Sequence, residues 1–274
     1  MDKTNRKVSI ATPDLRGNEY KYLRDAFESS WISSKGKYID LFESNFALFC
    51  GSKHGVALSN GTVALELALE VLGVGEGDEV IVPDLTFAAT INAVLHQNAT
   101  PIIVDIEEDS WCIDPIEIEK AVTPKTKAII PVHLYGQMCE MDKIMELANK
   151  YNLKVIEDCA QSHGATYKGK KAGSIGHVGC FSFYPTKIFG AYGDGGFITT
   201  NDEEIHDKIK RIRFLGMEKK KMSSGHWNGK YYAVEHGMNS RLDEVHAAIL
   251  LKKFKYIDEW IDRRRSIAAK YNQE

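Results

Sequence analysis

One lysine, Lys187, lies in surroundings that would make its side-chain amine reactive. Its neighbours are Phe183, Tyr184, Ile188 and Phe189, so a solvent-facing residue would be misplaced there. Loss of hydration lowers the pKa of an ammonium group, and more of the amine is then neutral and nucleophilic. The sequence therefore predicts that Lys187 is a nucleophilic amine.

An acidic pair, Glu157 and Asp158, follows the short apolar run Val155-Ile156. A carboxylate at a buried strand end is costly unless it has a partner. A protonated pyridine nitrogen would be such a partner, and the pair would keep the ring cationic and able to accept electrons. The alternative is that Asp158 caps the segment that follows it.

Two further segments follow predicted strands and could contact the same ligand. In Ser59-Asn60-Gly61-Thr62, the glycine permits close backbone approach, and the free N–H groups of a helix start attract an anion. The alternative is a simple helix cap formed by Ser59 or Asn60. Phe87 could stack on a flat cofactor, or it could be a core residue that begins the next helix.

Composition and motifs exclude several other functions. The net charge is −3, which gives no indication of nucleic acid or an anionic membrane as partner. The chain has neither the phosphate-loop pattern G-x-x-x-x-G-K-[ST] nor G-x-G-x-x-G after a strand. Its five cysteines are widely spread, so we expect no metal site and no disulfide framework. With no signal peptide and no long apolar run, the expected location is the cytoplasm.

Short apolar runs alternate with amphipathic helical patterns along most of the chain. Strands are predicted at 54–58, 79–82, 101–104, 128–132, 154–157, 179–183 and 196–200, and helices at 16–30, 38–49, 62–72, 140–151 and twice within 240–274. This order predicts an α/β fold with a mostly parallel sheet and helices on both faces. Ligands of such sheets bind at the carboxyl ends of the strands, where Lys187, Asp158 and Gly61 lie.

Six motifs occur in one order from about Trp31 to the end of the chain: SNGT, PDLTF, PVHLYGQ, IEDCAQSHGA, SFYPTK with GDGG, and GMNSRL. In this order they resemble the sugar aminotransferases of the DegT/DnrJ group, which use pyridoxal 5′-phosphate (PLP) and have the aspartate-aminotransferase fold. The resemblance implies that Lys187 is the Schiff-base lysine. The other roles that it implies are pairing of Asp158 with the pyridinium nitrogen, Gln161 near the ring oxygen or face, stacking by Phe87, and phosphate binding by Gly61, Thr62 and Ser182.

The resemblance also implies substrates and an assembly. The amino donor would be glutamate and the acceptor a nucleotide-linked keto-deoxy sugar, for amino-sugar and polysaccharide biosynthesis or a secondary metabolite. Asn239 would reach the phosphate of a neighbouring subunit, which implies a homodimer with shared active sites. Residues 1–240 would form the large PLP-binding domain, and residues 241–274 would begin a C-terminal helical region whose small domain is incomplete or absent.

Two alternatives remain open at this point. A shortened C-terminal region would suit a non-catalytic or truncated protein with the PLP-enzyme fold. A PLP-dependent sugar dehydratase would carry His at the Schiff-base position, so Lys187 argues against it. A basic run of Lys208, Lys210, Arg211, Arg213 and 219–221 could contact a diphosphate, but a solvated helix and loop face is the simpler interpretation. The Gly193–Gly196 stretch is interpreted as a purely structural turn.

Overall fold

A computed structural model describes Asp14, residues 19–218 and residues 232–273. Its strands are β1 His54–Leu58, β2 Glu79–Pro83, β3 Thr100–Val104, β4 Thr126–Ile129, β5 Lys154–Asp158, β6 Thr166–Tyr167, β7 Lys170–Lys171, β8 Val178–Ser182 and β9 Gly196–Thr200. Its α-helices are α1 Glu19–Glu28, α2 Lys37–Cys50, α3 Gly61–Val71, α4 Ala88–His96, α5 Pro115–Ala121, α6 Met141–Tyr151, α7 Glu203–Ile212, α8 Glu244–Phe254 and α9 Ile257–Tyr271.

Seven strands form one sheet in the order β1-β9-β8-β5-β4-β2-β3. The pairs β2–β3, β2–β4, β4–β5 and β5–β8 are parallel, and only β9 runs antiparallel to its neighbours β8 and β1. This confirms the predicted mostly parallel sheet. The carboxyl ends of β1, β5 and β8 consequently point to the same edge, where the candidate site residues lie.

Helices cover both faces of the sheet, as predicted. Alternate residues of one strand point to opposite faces, so Phe181 of β8 joins one core while Cys180 joins the other. The first core packs α2, α6 and α8 on the sheet and contains the rings of Phe42 and Phe46. The second packs α3, α4 and α7 on the opposite face, around residues such as Leu67. A sheet covered on both faces requires continuous apolar strands, which explains why the strands were visible in the sequence.

Some predicted boundaries were wrong for identifiable reasons. The run 128–132 is not one strand, because β4 ends at Ile129 and Val132 forms an isolated bridge to Asp158. Pro131 has no N–H to donate, so it interrupts the ladder there. No bounds were predicted for helices α4, α5 and α7 or for the β6–β7 hairpin. The predicted helix at 16–30 corresponds to α1, and its first three residues lie outside the described part of the chain.

Along the described residues, 19–218 and 232–273 together with Asp14, no helix has the length and apolar character needed to cross a lipid bilayer.

A buried carboxylate from α8 completes the start of α2. The Glu244 side chain accepts hydrogen bonds from the backbone N–H groups of Tyr38 at 2.7 Å and Ile39 at 3.0 Å. These donors have no partner within their own helix, and a negative charge is favourable at a helix N-terminus. A Cβ on Gly36 would lie 2.3 Å from the carboxyl carbon, so only glycine permits this approach. Glu244 therefore holds the C-terminal helices against the N-terminal ones.

We expect Glu244→Ala to lower the free energy of unfolding by about 1–3 kcal/mol, because two buried backbone donors lose their acceptor. Denaturant-induced unfolding measures the change. Glu146→Ala on the exposed face of α6 is the control, with an expected change within about 0.5 kcal/mol. Equal effects of the two substitutions would contradict the capping role.

Candidate active site

A cavity of about 610 Å³ lies at the carboxyl edge of the sheet. Of the eight residues that the sequence selected, seven line it: Gly61, Thr62, Phe87, Asp158, Gln161, Ser182 and Lys187. Asp158 and Ser182 end β5 and β8, while Gly61 begins the helix after β1. The parallel strand arrangement therefore brings together segments that are up to 126 positions apart in the sequence, between Gly61 and Lys187.

Lys187 lies in a tight turn after β8, where its backbone N–H donates to the Tyr184 carbonyl at 2.9 Å. The side chain is half-buried, and its Nζ lies 6.0 Å from the centre of the Phe87 ring. Burial lowers the pKa of the ammonium group, and the Asp158 charge partly opposes that effect. The Lys187 amine therefore faces the cavity, and its affinity for a proton is reduced.

Asp158 is buried, and both of its carboxylate oxygens accept hydrogen bonds. Oδ1 accepts from the Ala160 N–H at 3.1 Å and Oδ2 from the Thr90 hydroxyl at 2.9 Å. Burial nevertheless raises the pKa of the carboxyl group, and these two hydrogen bonds and the Lys187 charge offset burial only in part. The contact with Ala160 agrees with the capping alternative, while the raised pKa indicates a carboxylate that a further cationic partner would stabilise.

A pair of threonines orients Asp158, and the sequence analysis missed both. The Thr90 hydroxyl has one proton, which it gives to Asp158, so the Thr86 hydroxyl must donate to Thr90 across their 2.8 Å contact. Thr90 is fully buried on α4. The available signal was the spacing of four residues, which places Thr86 and Thr90 on one side of a helix start beside Phe87.

Glu157, one residue before Asp158, has a full set of partners. His133 donates to Oε2 at 3.0 Å and the Gly173 N–H to the same oxygen at 3.0 Å, while Ile175 and Gly176 donate to Oε1 at 2.8 and 2.7 Å. Burial alone would raise the pKa of Glu157, but these hydrogen bonds outweigh burial and lower the pKa.

The His133 ring lies between two hydrogen-bond partners. Its Nδ1 accepts from the Cys139 N–H at 3.2 Å, so its proton lies on Nε2 and points to Glu157. Glu157, His133 and Cys159 have ligand atoms within 4.8 Å of one another, a spacing that a metal could use. Since all four acceptor positions of Glu157 and the free lone pair of His133 are already occupied, these hydrogen bonds would have to break before an ion could bind.

The start of α3 forms the end of the cavity that could hold an anion. Asn60 is the N-cap, and its side chain accepts from the Val63 N–H at 2.9 Å. The N–H groups of Gly61 and Thr62 belong to the first helical turn and have no intrahelical acceptor. A Cβ on Gly61 would lie 2.6 Å from the Ser182 Cβ, so glycine is required for the close packing of α3 on the end of β8.

Gln161 and Asn239 differ in their positions. The Gln161 side chain lines the cavity, and its Oε1 accepts from the Tyr135 N–H at 3.2 Å. Asn239 is exposed outside the cavity of its own chain, where its Oδ1 accepts from the Arg241 Nε at 3.0 Å. Its predicted contact with a neighbouring subunit stays a prediction.

Two other sequence interpretations can be compared with the structure. Asp194, within the Gly193–Gly196 stretch that was interpreted as a purely structural turn, lines the cavity, and an acidic residue soon after Lys187 was the available signal. In the basic run, Arg211 pairs with Glu235 at 2.6 Å and Lys208 donates to the Val71 carbonyl at 3.3 Å. None of the run's described residues lines the cavity. Only Lys210 of them is exposed, and Arg213 is largely buried in an ion pair with Glu43, so the solvated-face interpretation holds for part of the run; 219–221 lie outside the described residues.

Comparison with known proteins agrees with this geometry. Residues 13–274 match the DegT/DnrJ/EryC1/StrS aminotransferase family. GDP-perosamine synthase of Caulobacter vibrioides is 44% identical over 268 residues, which cover 98% of this chain and 70% of that protein.

Solved structures agree as well. The S. venezuelae DesV structure in complex with a ketimine intermediate matches with a TM-score of 0.87 and 41% identity, covering 94% of this chain and 66% of DesV. The PMP form of the putative sugar aminotransferase Spr1654 from Streptococcus pneumoniae matches with a TM-score of 0.89 and 29% identity, covering 97% of this chain and 72% of that one. The chain thus spans roughly two thirds of the length of these relatives. The match in sequence, fold and motif order shows that the chain belongs to the DegT/DnrJ/EryC1/StrS aminotransferase family.

Proposed function

We propose that this chain binds PLP through Lys187 and transfers an amino group from glutamate to a nucleotide-linked keto-deoxy sugar. One observation carries the proposal: the Lys187 amine and the buried Asp158 carboxylate line the same cavity. The names of the relatives, which include a GDP-perosamine synthase and a dTDP-amino-sugar transaminase, support the sugar nucleotide as acceptor.

The residues of the cavity fit each part of PLP. The Lys187 amine suits the aldehyde, and the raised pKa of Asp158 suits a cationic ring nitrogen as partner. The exposed ring of Phe87 offers a face for stacking, and Gln161 can reach the ring oxygen or face. The free N–H groups at Gly61 and Thr62, with the Ser182 hydroxyl nearby, suit a phosphate.

When bound, PLP supplies an aldehyde that bonds to amines and an aromatic ring that can take up an electron pair. Lys187 Nζ can accept and return a proton, because burial makes its neutral form more accessible. The Asp158 carboxylate would stabilise a positive charge on the ring nitrogen, which would favour electron uptake by the ring. Thr86 and Thr90 fix the direction in which Asp158 presents its oxygens.

The proposal extends to assembly and location. Residues 1–240 act as the large PLP-binding domain, and residues 241–274 begin the C-terminal helical region. Two chains form a dimer with shared sites, with Asn239 directed to the phosphate in the partner subunit, and the enzyme acts in the cytoplasm. The exposed position of Asn239 supports the assembly, since its side chain is available to a neighbour.

We expect Lys187→Ala to abolish covalent attachment of PLP and to lower the rate of amine transfer by about a thousandfold or more, since nucleophile and proton carrier are lost together. Absorbance spectroscopy of the purified protein, before and after glutamate, measures the attachment. Transfer to a panel of nucleotide-linked keto sugars measures the activity. Lys127→Ala, an exposed lysine on β4, is the control and should retain both properties.

An unchanged visible absorbance band in Lys187→Ala would disprove the assignment of the lysine. A normal band in the unaltered protein without transfer to any sugar would favour the non-catalytic alternative.

Asp158→Asn should stabilise the ligand-free protein at neutral pH and weaken PLP binding. A raised carboxyl pKa means that the folded state binds the proton more tightly than the unfolded chain, so Asp158 costs stability as pH rises from 3.8 through the raised pKa. The difference in unfolding free energy between the variant and the unaltered protein should therefore grow over that range and then level off. A difference that shrinks with rising pH would contradict this assignment of the burial cost.

A further inference from the structure

Lys187 is carried by residues 184–194, here called the lysine loop, which connect β8 to β9 and belong to neither a helix nor a strand. Two backbone hydrogen bonds shape the loop. The Lys187 N–H donates to the Tyr184 carbonyl at 2.9 Å, and the Ala191 N–H donates to the Phe183 carbonyl at 2.7 Å. Contacts from other elements must therefore help to hold the loop, and with it the Lys187 amine, at the cavity.

Lys253 of α8 contacts the lysine loop from the protein interior. The residue is only 3% exposed, and its Nζ donates to the Gly190 carbonyl at 2.5 Å. The centres of the Tyr192 and Trp260 rings lie 5.0 and 5.5 Å from this Nζ, distances at which an aromatic ring stabilises a cation. A lysine is rarely buried without such partners. The carbonyl three positions after Lys187 is thus bound to a buried side chain.

Acidic residues that precede the sheet in the sequence complete the surroundings of Lys253. Burial lowers the pKa of its ammonium group, and the charges of Glu19 and then Asp14 oppose that effect. Asp14 also accepts a hydrogen bond from the Trp260 Nε1 at 2.7 Å, which holds one of the two rings in place. Residues of α1, α8 and α9 therefore surround the same ammonium group that binds the lysine loop.

His246, two turns before Lys253 on α8, contacts the lysine loop at a second place. A Cβ on Gly193 would lie 2.8 Å from the His246 Nε2, so the imidazole packs directly on the backbone there. The ring also forms a hydrogen bond with the Tyr192 backbone, and its Nδ1 lies 2.7 Å from Oδ2 of Asp243, the N-cap of α8. Positions seven apart share one face of a helix, so one side of α8 holds the loop twice.

We propose that α8 positions Lys187 through these two contacts, with Lys253 and His246 as positioning residues that act on the backbone of residues 190–193. This inference rests on the proposed function. A reacting group must be held within about half an ångström of its working position, and supporting residues that are themselves fixed provide that precision. Asp194, which lines the cavity, follows directly on this backbone, so the same contacts direct its side chain as well.

The first test measures the loop itself. Lys253→Met keeps an unbranched apolar side chain but removes the donor and the charge. In the full chain loaded with PLP, hydrogen exchange of a peptide covering residues 184–194 should become about tenfold faster, because one hydrogen bond no longer opposes loop opening. Exchange in α6 should not change. Lys255→Met, an exposed lysine two positions further along, is the control and should leave both regions as they are.

The second test measures the reactivity of Lys187. On mixing PLP with the ligand-free full chain, the visible absorbance band should appear about tenfold more slowly in Lys253→Met, and kcat should fall by about the same factor while the KM for glutamate stays within about twofold. His246→Ala, at a partly exposed position, should change loop exchange, PLP attachment and kcat in the same direction. It keeps the test decisive if Lys253→Met does not fold.

Unchanged loop exchange or unchanged PLP attachment in the two variants would overturn the positioning role and leave the proposed function standing. Equal acceleration of exchange in the loop and in α6 would also overturn it, because the contacts would then support the whole fold and not the loop. If PLP attachment slows as expected but the unaltered protein transfers no amine to any nucleotide-linked keto sugar, the positioning role stands and the proposed function fails.

Discussion

The buried carboxylate of Glu157 is the interaction on which the geometry of the cavity depends. Its four hydrogen bonds join three segments: His133 after β4, the end of β5 itself, and the Gly173–Gly176 stretch that leads into β8. Without this carboxylate, three backbone N–H groups and one imidazole N–H would be buried without an acceptor. The ends of the neighbouring parallel strands are therefore held in register by one side chain that itself takes no part in the cavity.

Successive residues of β5 use the same chemical group for opposite purposes. Side chains alternate across a strand, so Glu157 points to donors in the protein interior while Asp158 points to the cavity. The pKa of Glu157 is lowered because its partners are complete, and that of Asp158 is raised because burial outweighs its two hydrogen bonds. The fold thus stabilises the ionised form of Glu157 and disfavours the ionised form of Asp158, which a positively charged partner would stabilise.

The sequence predicted those parts of the molecule that short-range patterns determine. Continuous apolar runs located the strands, and strand ends located Lys187, Asp158 and Gly61. The contact of Thr90 with Asp158 joins positions 68 residues apart, and a threonine near a helix start gives no indication of such a partner. The burial of the His163 ring could not be predicted either. Only the packing of the described residues shows that its two nitrogens are buried without a hydrogen-bond partner.

At the polar strand ends, the structure is compatible with both interpretations, a helix cap and a ligand contact. Asn60 caps α3 through Val63, and that same cap leaves the N–H groups of Gly61 and Thr62 directed away from any intrahelical acceptor. Asp158 likewise accepts from Ala160 while facing the cavity. A cap organises the backbone, and the remaining unsatisfied groups can then bind a ligand. The choice between a structural and a functional role could not be made from residue types, because a residue that caps a helix can also face a cavity.

Within the described part of the chain, the cavity lining has three unfavourable features: a carboxylate that burial disfavours, helix N–H groups without an intrahelical acceptor, and the ring of Phe87, which is 70% exposed. Each of these features lowers the stability of the folded protein when no ligand is bound. A flat cationic ring with a phosphate at one end would satisfy all three at once, and its binding free energy would then include the relief of these costs. A ligand that binds only the folded state adds that energy to the stability of the fold. Under the proposed function, cofactor affinity and folding stability would be coupled through the same few groups.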